Sequence, residues 1–187
     1  MRKKIILFLV LVSSFFGFSQ DFDSPEEKVK ISHFFTQFEV EVPIKGNPNR
    51  DDEYVNGVKN NNENWFVPDG LSAKIGYGIQ QNRWVGLSLH TGIDWKGTEK
   101  LVAVPVYANF RISPAVSSES RITLQLGYGK GFALGRGNLS GAYRKISLGI
   151  ESDEDFILFI EVADYKIKVR EFNSVGSVSL GLAVRTF

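Results

Sequence analysis

Eight segments of alternating apolar and polar residues run through most of this chain. Each is ten to fourteen residues long, and they cover 29–42, 70–80, 84–95, 101–112, 121–132, 142–151, 156–165 and 174–187. A period of two predicts β-strands, because successive side chains of a strand point to opposite faces. The i, i+3, i+4 spacing of an amphipathic helix does not recur over any useful window. The sequence therefore predicts an all-β protein.

One face of most segments is apolar along its whole length, and the other is rich in small residues and in ions of both signs. In one segment Ile122, Leu124 and Leu126 alternate with Thr123 and Gln125. Repeated segments of about ten residues with this pattern are typical of a transmembrane barrel. A closed barrel also satisfies every backbone group inside a membrane. We predict an eight-stranded antiparallel up-and-down transmembrane β-barrel whose apolar rows face lipid.

Two segments depart from the simple pattern. The 156–165 segment is apolar on both faces apart from Glu161, so the pattern does not predict its facing. Pro105 lies on the polar face of the 101–112 segment, which is an unusual place for proline in a paired strand.

The N-terminus has the layout of a secretory signal peptide. A basic Arg2–Lys4 precedes the apolar run Ile5–Val12, and Gly17 and Ser19 are small residues at positions −3 and −1 of a cut before Gln20. The run is shorter than the roughly 20 residues of a membrane-spanning helix. The predicted organisation is a signal peptide (1–19), a periplasmic N-terminal segment (20–28) and an outer-membrane barrel (29–187).

Charge and cysteine content narrow the class of protein. Loss of the predicted signal peptide removes three basic residues and no acid, so the net charge changes from +1 to −2. A nucleic-acid-binding protein would show a basic excess, and no nucleic-acid partner is predicted. The chain has no cysteine, which excludes disulfides, a lipid-modified cysteine and thiolate metal sites.

The lengths of the connections orient the predicted barrel. Periplasmic turns of outer-membrane barrels are short, and the external loops are longer. The connection 43–69 is long and polar, whereas 81–83 and 152–155 are tight. With both termini in the periplasm, the 43–69 loop is external. Connections 96–100 and 113–120 fit this alternation poorly.

Three aromatic residues of the predicted external loop are candidate contacts for an external partner or glycan. These are Tyr54, Trp65 and Phe66. Exposed aromatic side chains favour recognition, although the same three residues could instead anchor the barrel at the membrane interface.

Ionisable residues recur on the face that is predicted to point inward. They are Glu39, Lys74, His90, Asp94, Arg111, Lys145, Glu151, Glu161 and Arg185. An eight-stranded barrel is just wide enough for side chains to fill it, and buried charges require partners. We therefore predict an interior network of paired charges in preference to an ion pathway.

No catalytic site, metal site or cofactor is predicted, and the chain is predicted not to be an enzyme. Ser88, His90 and Asp94 are the residue types of a nucleophilic triad. They share one strand face, however, where side chains lie in a line, whereas a triad needs them to converge. His33 and His90 have no fixed relation that would indicate a metal site.

The chain ends in an aromatic residue on an alternating segment, Ser177–Phe187. Terminal Phe187 resembles the assembly signal of bacterial outer-membrane barrel proteins, and the mature chain resembles the small OmpX/OmpA-type families. The phrases Val104–Tyr107 (VPVY) and Leu126–Gly129 (LGYG) resemble strand phrases of that group. The resemblance implies a Gram-negative outer membrane, contact with the bilayer and lipopolysaccharide, and the outer-membrane barrel assembly machinery as a partner.

One detail departs from the family pattern. Phe187 is out of phase with the apolar residues Leu182 and Val184. A bulge near Arg185 would restore the phase.

Three functions are left open by the sequence. The preferred one is a structural or adhesive outer-membrane barrel. The second is a secreted or periplasmic β-barrel that binds an apolar ligand, in which case the row of Val104, Val106 and Phe110 would line the interior. The third is an outer-membrane lipid-modifying enzyme that uses Ser88 or His90.

Overall fold

The computed structural model describes residues 33–46, 54–55, 58–59, 65–135, 139–152, 155–167 and 174–187. The predicted segments 1–19 and 20–28 lie outside these residues. The strands are β1 Phe34–Gly46, β2 Tyr54–Val55, β3 Val58–Lys59, β4 Phe66–Pro68, β5 Gly70–Gln81, β6 Val85–Lys96, β7 Leu101–Ile112, β8 Ser120–Leu134, β9 Ser140–Ser152, β10 Phe156–Tyr165 and β11 Val175–Thr186. In the described part of the chain, no helix has the length and apolar character to cross a membrane.

Eight long strands form a closed antiparallel barrel. Strands β5 to β11 are hydrogen-bonded to one another in chain order, and β1 pairs with both β5 and β11. The first and last strands of the barrel therefore have no free edge, as a structure in lipid requires. The prediction of an all-β, eight-stranded up-and-down barrel is confirmed.

The stagger of the strands sets their tilt. One row of hydrogen-bonded partners starts at Phe34 and passes through Ile79, Leu87, Phe110, Leu126, Ile146, Val162 and Val178 to Ile44. The row thus returns to β1 ten residues beyond its start. A stagger of this size corresponds to strands tilted by roughly 40° from the barrel axis. Every residue in the row is apolar.

Apolar side chains cover the outside of the barrel. Val106 is 48% exposed and Phe110 is 40% exposed, whereas Lys74, Arg111 and Glu161 are buried. This is the reverse of the arrangement that an apolar-ligand barrel needs, so the alternative in which the row of Val104, Val106 and Phe110 lines the interior is wrong. The facing of β10 is also settled, because Glu161 points inward and fixes the alternation of the whole strand.

Pro105 lies inside the barrel within β7 and interrupts one ladder. It is paired with Gly131 of β8. On the β6 side the pairing breaks between Thr91–Val106 and Asp94–Ala103. Proline has no N–H to donate, so the break falls where Pro105 would have bonded to β6.

The connection 43–69 contains more strand than the sequence predicted. Strand β1 continues to Gly46, and β4 pairs with its last residues. Strands β2 and β3 form a separate two-stranded sheet. The prediction of a loop over all of 43–69 is therefore wrong at both ends. Alternation continues through Ile44 and past Pro43, which stays paired with Ser179.

The tight connection between β5 and β6 lies at the opposite end of the barrel. Asn82 and Arg83 have φ angles of 49° and 59°, and the backbone N–H of Trp84 donates to the carbonyl of Gln81 at 3.0 Å. Left-handed conformations at both central residues are typical of the hairpin turn that matches strand twist. We call this the turn end of the barrel, and the end that carries β2–β4 the loop end.

Strand β11 has no bulge near Arg185 that would restore the phase of Phe187. The pairing of β11 with β1 continues in one register to Thr186. Phe187 therefore stays out of phase with Val184 and Leu182, and it lies just beyond the strand.

Candidate functional site

Five charged side chains from four strands meet at the centre of the barrel. Lys74 Nζ lies 2.7 Å from an oxygen of Glu41 and 2.7 Å from an oxygen of Glu161. Lys145 Nζ lies 3.0 Å from Glu39 and 2.8 Å from Glu161. Glu161 thus links both lysines. We call these five residues the central cluster.

The inner face of the sheet provides space for this cluster through its glycines. A Cβ atom on Gly127 would lie 2.6 Å from Cγ of Lys145, and one on Gly181 would lie 2.9 Å from Cγ of Glu41. Long ionic side chains can therefore extend across the barrel only because the residues opposite them have no side chain. This explains why glycine recurs on the polar face.

The loop end of the interior adds tyrosines and a fourth carboxylate. Asp94 accepts a hydrogen bond from the hydroxyl of Tyr165 and lies 4.0 Å from Lys74 Nζ. The Tyr143 hydroxyl donates to Glu161 at 3.3 Å. The ring of Tyr143 lies 4.9 Å from that of Tyr107 and 4.6 Å from that of Tyr165.

Above the tyrosines, a cluster of buried apolar side chains fills this end of the barrel, including Leu101, Ile167 and Val175.

A second ionic group, the turn-end cluster, closes the other end of the interior. Arg185 bonds to Glu151, and Arg111 Nη1 lies 3.7 Å from the same carboxylate. Arg83 bonds to Asp155. The cluster comprises these five residues, and two aromatic rings cover it. The Arg111 guanidinium lies 4.9 Å from the ring of Phe35, and that of Arg185 lies 4.9 Å from the ring of Phe187.

All nine ionisable residues that the sequence placed inside the barrel lie there, each no more than 4% exposed. Seven of them belong to the two clusters just described, Asp94 lies 4.0 Å from Lys74 Nζ, and His90 lies 3.6 Å from Glu39. Sequence reasoning missed Arg83 and Asp155, which lie in two different turns at the same end. It also did not single out the interior tyrosines as site residues, although Tyr107, Tyr143 and Tyr165 all occupy inward positions of the alternation.

Ser88 and His90 are closer than the sequence analysis expected. Ser88 Oγ lies 2.8 Å from Nε2 of His90, so the expectation that neighbours on one strand face cannot meet is wrong for this pair. Nδ1 of His90 faces Glu39 at 3.6 Å, while Asp94 is engaged by Tyr165. Ser88, His90 and Glu39 are all buried inside the barrel, where no lipid substrate reaches the hydroxyl of Ser88.

Three carboxylates are close enough to share a metal ion. Oxygens of Glu39, Glu41 and Glu161 lie within 4.8 Å of one another. Lys74 and Lys145 already stand among them, and their ammonium groups provide the positive charge that a bound cation would otherwise supply. The absence of a metal stays a prediction.

The three candidate loop aromatics belong to the segment at the loop end, and their role in recognition stays a prediction. Trp65 and Phe66 are each 63% exposed, and Phe66 begins β4. Tyr54 is in β2, but its side chain lies outside the described residues.

Comparison with known proteins supports the fold. No family model and no curated protein matches the sequence. Neisserial surface protein A (NspA) matches in structure with a TM-score of 0.53 and 14% identity over 83% of this chain and 97% of that chain. The attachment invasion locus protein Ail of Yersinia pestis matches with a TM-score of 0.41 and 12% identity over 82% and 97%. NspA carries the assignment: the chain has the fold of the small Gram-negative outer-membrane barrels.

Proposed function

We propose that this chain, which has the fold of the small outer-membrane barrels, is a non-enzymatic barrel of the outer membrane with a structural or surface-interaction role. Residues 1–19 would direct export and be removed, residues 20–28 would lie in the periplasm, and the barrel would begin near residue 29. The loop end would face outward and the turn end would face the periplasm.

The observation that carries this proposal is the contrast between the two faces of the sheet. Apolar rows cover the outside, while paired ions occupy the inside. In water an apolar surface of this extent would drive aggregation. In a bilayer the same surface is solvated by acyl chains, and the interior ions remain paired with one another. Barrels with an apolar band of about 25 Å are outer-membrane structures.

The filled interior supports a role other than chemistry or transport. The central cluster, the tyrosines and the turn-end cluster occupy the space that a substrate or a file of ions would need. An eight-stranded barrel has no further width to offer. We therefore expect the purified protein to show no porin-like conductance in planar lipid bilayers.

The outer surface and the loop end of the barrel indicate its partners. The apolar band would contact the bilayer and lipopolysaccharide, and the outer-membrane barrel assembly machinery would recognise Phe187. The exposed rings of Trp65 and Phe66 favour an external partner at the 43–69 loop. Replacing both rings by alanine should leave the barrel folded and lower the attachment of expressing cells to that partner.

Fractionation combined with a heat-shift gel tests the proposal. The mature protein should be recovered in the outer-membrane fraction, and the unheated sample should migrate differently from the boiled one because the barrel stays folded in detergent. Recovery of the protein in soluble periplasm without detergent would contradict the proposal.

A further inference from the structure

Charge is confined to one spot on the lipid-facing surface. The outward positions of all eight barrel strands are described, and only three carry a formal charge: Lys130 of β8, Arg144 of β9 and Asp164 of β10. Lys166 continues the outward alternation directly after β10. The remaining five barrel strands have no outward ionic side chain, so the spot makes one side of the barrel different from the others.

Three cations surround a small residue in this spot. Ala142 of β9 is paired with Lys130, and the backbone N–H of Lys166 donates to the carbonyl of Ala142 at 2.8 Å. Arg144 lies two residues further along β9. Since neighbouring strands are about 4.8 Å apart, Lys130 and Lys166 flank Ala142 at roughly 5 Å on either side. We call Lys130, Arg144 and Lys166 the cation triangle.

The described part of the chain offers no ion pair to the cation triangle. Within the described ranges, no carboxylate lies within 4.0 Å of the three charged groups. Their contacts are with rings: Lys130 Nζ lies 5.4 Å from the ring of Phe132, and the Arg144 guanidinium lies 5.8 Å from that of Tyr128. Asp164 is opposite Arg144 in the register and is the one acid among the described residues of the spot, whose charges sum to +2. Interior cations such as Lys74 and Lys145, in contrast, each have carboxylate partners.

The triangle lies at the height of a lipid headgroup. A rise of about 3.3 Å per residue along a strand tilted by about 40° gives a height of roughly 2.5 Å per residue. Arg144 is eight residues from Ser152 at the turn end of β9, hence about 20 Å above it and near the upper margin of an apolar band of about 25 Å. Outward Phe132 and Leu134 continue past Lys130 on β8, so its ammonium group lies among apolar side chains.

An apolar groove runs below the triangle on the same side of the barrel. Its volume is about 550 Å³, and outward side chains of β8 to β11 line it, among them Ile122, Leu148, Leu158 and Leu180. A lipid whose headgroup lay at the triangle would direct its acyl chains toward this groove.

We infer that the cation triangle and the groove bind one acylated glycolipid of the outer leaflet through a phosphate monoester. A phosphate monoester carries a charge of about −1.5 to −2, which matches the net charge of the spot, whereas a phosphodiester headgroup carries only one negative charge. The phosphate would rest over Ala142, between the two lysines and beside Arg144. This inference rests on the proposed function, since it requires the loop end to face the outer leaflet.

Binding to purified lipids tests the inference. The folded protein in detergent is titrated with phosphorylated lipid A, with the same lipid after removal of its phosphates, and with phosphatidylglycerol. We expect preference for phosphorylated lipid A. Near a membrane surface each cation contributes about a fivefold gain in affinity, so the triple variant Lys130→Gln, Arg144→Gln, Lys166→Gln should bind roughly 100-fold more weakly. Asp164→Asn should bind severalfold more tightly.

A matched control removes one cation from the same end of the barrel. Lys45 of β1 lies 3.5 Å from Asp69, away from β8 to β10, and Lys45→Gln should change the affinity less than twofold. Equal affinity of the triple variant and the native chain, or of lipid A with and without phosphate, would overturn the inference. Equal or tighter binding of phosphatidylglycerol would overturn the choice of a phosphate monoester.

Failure of the lipid site can be told apart from failure of the proposed function. A protein that fractionates with the outer membrane and shows the heat shift, yet binds lipid A without regard to phosphate, contradicts the lipid site alone. A protein found soluble in the periplasm contradicts the proposed function and the lipid site together.

Discussion

The inner and outer surfaces of the barrel come from alternate residues of the same strands, yet different interactions stabilise them. On β8, Leu126 is 45% exposed while its neighbour Gln125 is 1% exposed. Gln125 accepts hydrogen bonds from Asn109 at 2.7 Å and from Gln37 at 3.5 Å, so its contribution depends on particular partners in one geometry. Leu126 needs only an apolar surrounding. The inner surface is therefore specific, and the outer surface depends on hydrophobicity and depth.

The central part of the interior is also not neutral. Lys74 and Lys145 face the four carboxylates of Glu39, Glu41, Asp94 and Glu161, so acids are in excess around the central cluster. Loss of a lysine should therefore be worse than loss of an acid. Variants of one lysine and one acid of the central cluster measure this asymmetry.

The largest effect is expected inside the barrel. Lys145→Met leaves Glu39 and Glu161 with less positive charge, and breaking a buried ion pair from one side costs about 3–5 kcal/mol. Equilibrium unfolding in urea with detergent or lipid present measures this loss. Glu161→Gln is the control, and its loss should be smaller because it reduces the excess of acid. A loss below about 1 kcal/mol for Lys145→Met would show that the pair is dispensable.

A charge placed on the outer surface should have an effect that depends on depth. Leu126→Arg places a cation near the middle of the apolar band, where it costs about 2–4 kcal/mol. Phe132→Arg lies higher on the same strand, near the interface, and should cost about 1 kcal/mol or less. Unfolding of both variants in vesicles of one lipid composition provides the measurement. Equal effects at the two heights would mean that no bilayer surrounds β8.

Added volume should be tolerated outside but not inside. A Cβ on Gly76 would lie 2.3–2.5 Å from ring atoms of His90, which is held by Ser88 and stacked on Tyr107. We expect Gly76→Ala to destabilise the barrel by about 1–3 kcal/mol through overpacking. Gly46→Ala, with no atom within 4 Å of the added Cβ, is the control, and a similar loss in both variants would contradict the packing argument.

The smallest effect on stability is expected at the C-terminus. The ring of Phe187 is about half exposed and covers the guanidinium groups of Arg83 and Arg185 at 5.1 and 4.9 Å. An exposed cation–π contact contributes about 0.5–1 kcal/mol, so Phe187→Ala should unfold only slightly more easily.

Assembly in cells separates the two roles of Phe187. If the residue is an assembly signal, Phe187→Ala should lower the folded fraction in the outer membrane severalfold, more than its loss of stability explains. Normal yields in cells, compared by heat-shift gel, would leave Phe187 with the packing role alone.

Strand positions could be predicted from the sequence because alternation fixes the facing of each residue on its own strand. The 101–112 and 156–165 segments match β7 and β10 at both ends. Contacts across the barrel could not be predicted in this way. Glu39 and Lys145 meet at 3.0 Å because of the ten-residue stagger and the barrel width, and neither quantity is visible in one strand.

The wrong predictions concern residues whose local sequence pattern disagrees with their long-range strand pairing. The polar composition of 43–69 does not indicate that β1 extends to Gly46, because this extension depends on pairing with β4 and β11. The facing of β10 could not be predicted because its inward residues Ile157 and Phe159 are as apolar as its outward ones. Glu161 fixes the facing only once its lysine partners are known. Ser88 and His90 meet because the small serine leaves the imidazole room to bend toward it.

Cysteine labelling at two positions tests most directly the claim that lipid surrounds an ion-filled barrel. The chain has no cysteine of its own, so single variants report cleanly. In membranes, Val106→Cys on the outer face should react with a lipid-soluble thiol reagent and not with a water-soluble one. Ser147→Cys, buried inside the barrel, should react with neither until the protein is unfolded. Rapid reaction of Val106→Cys with the water-soluble reagent in intact membranes would contradict the account.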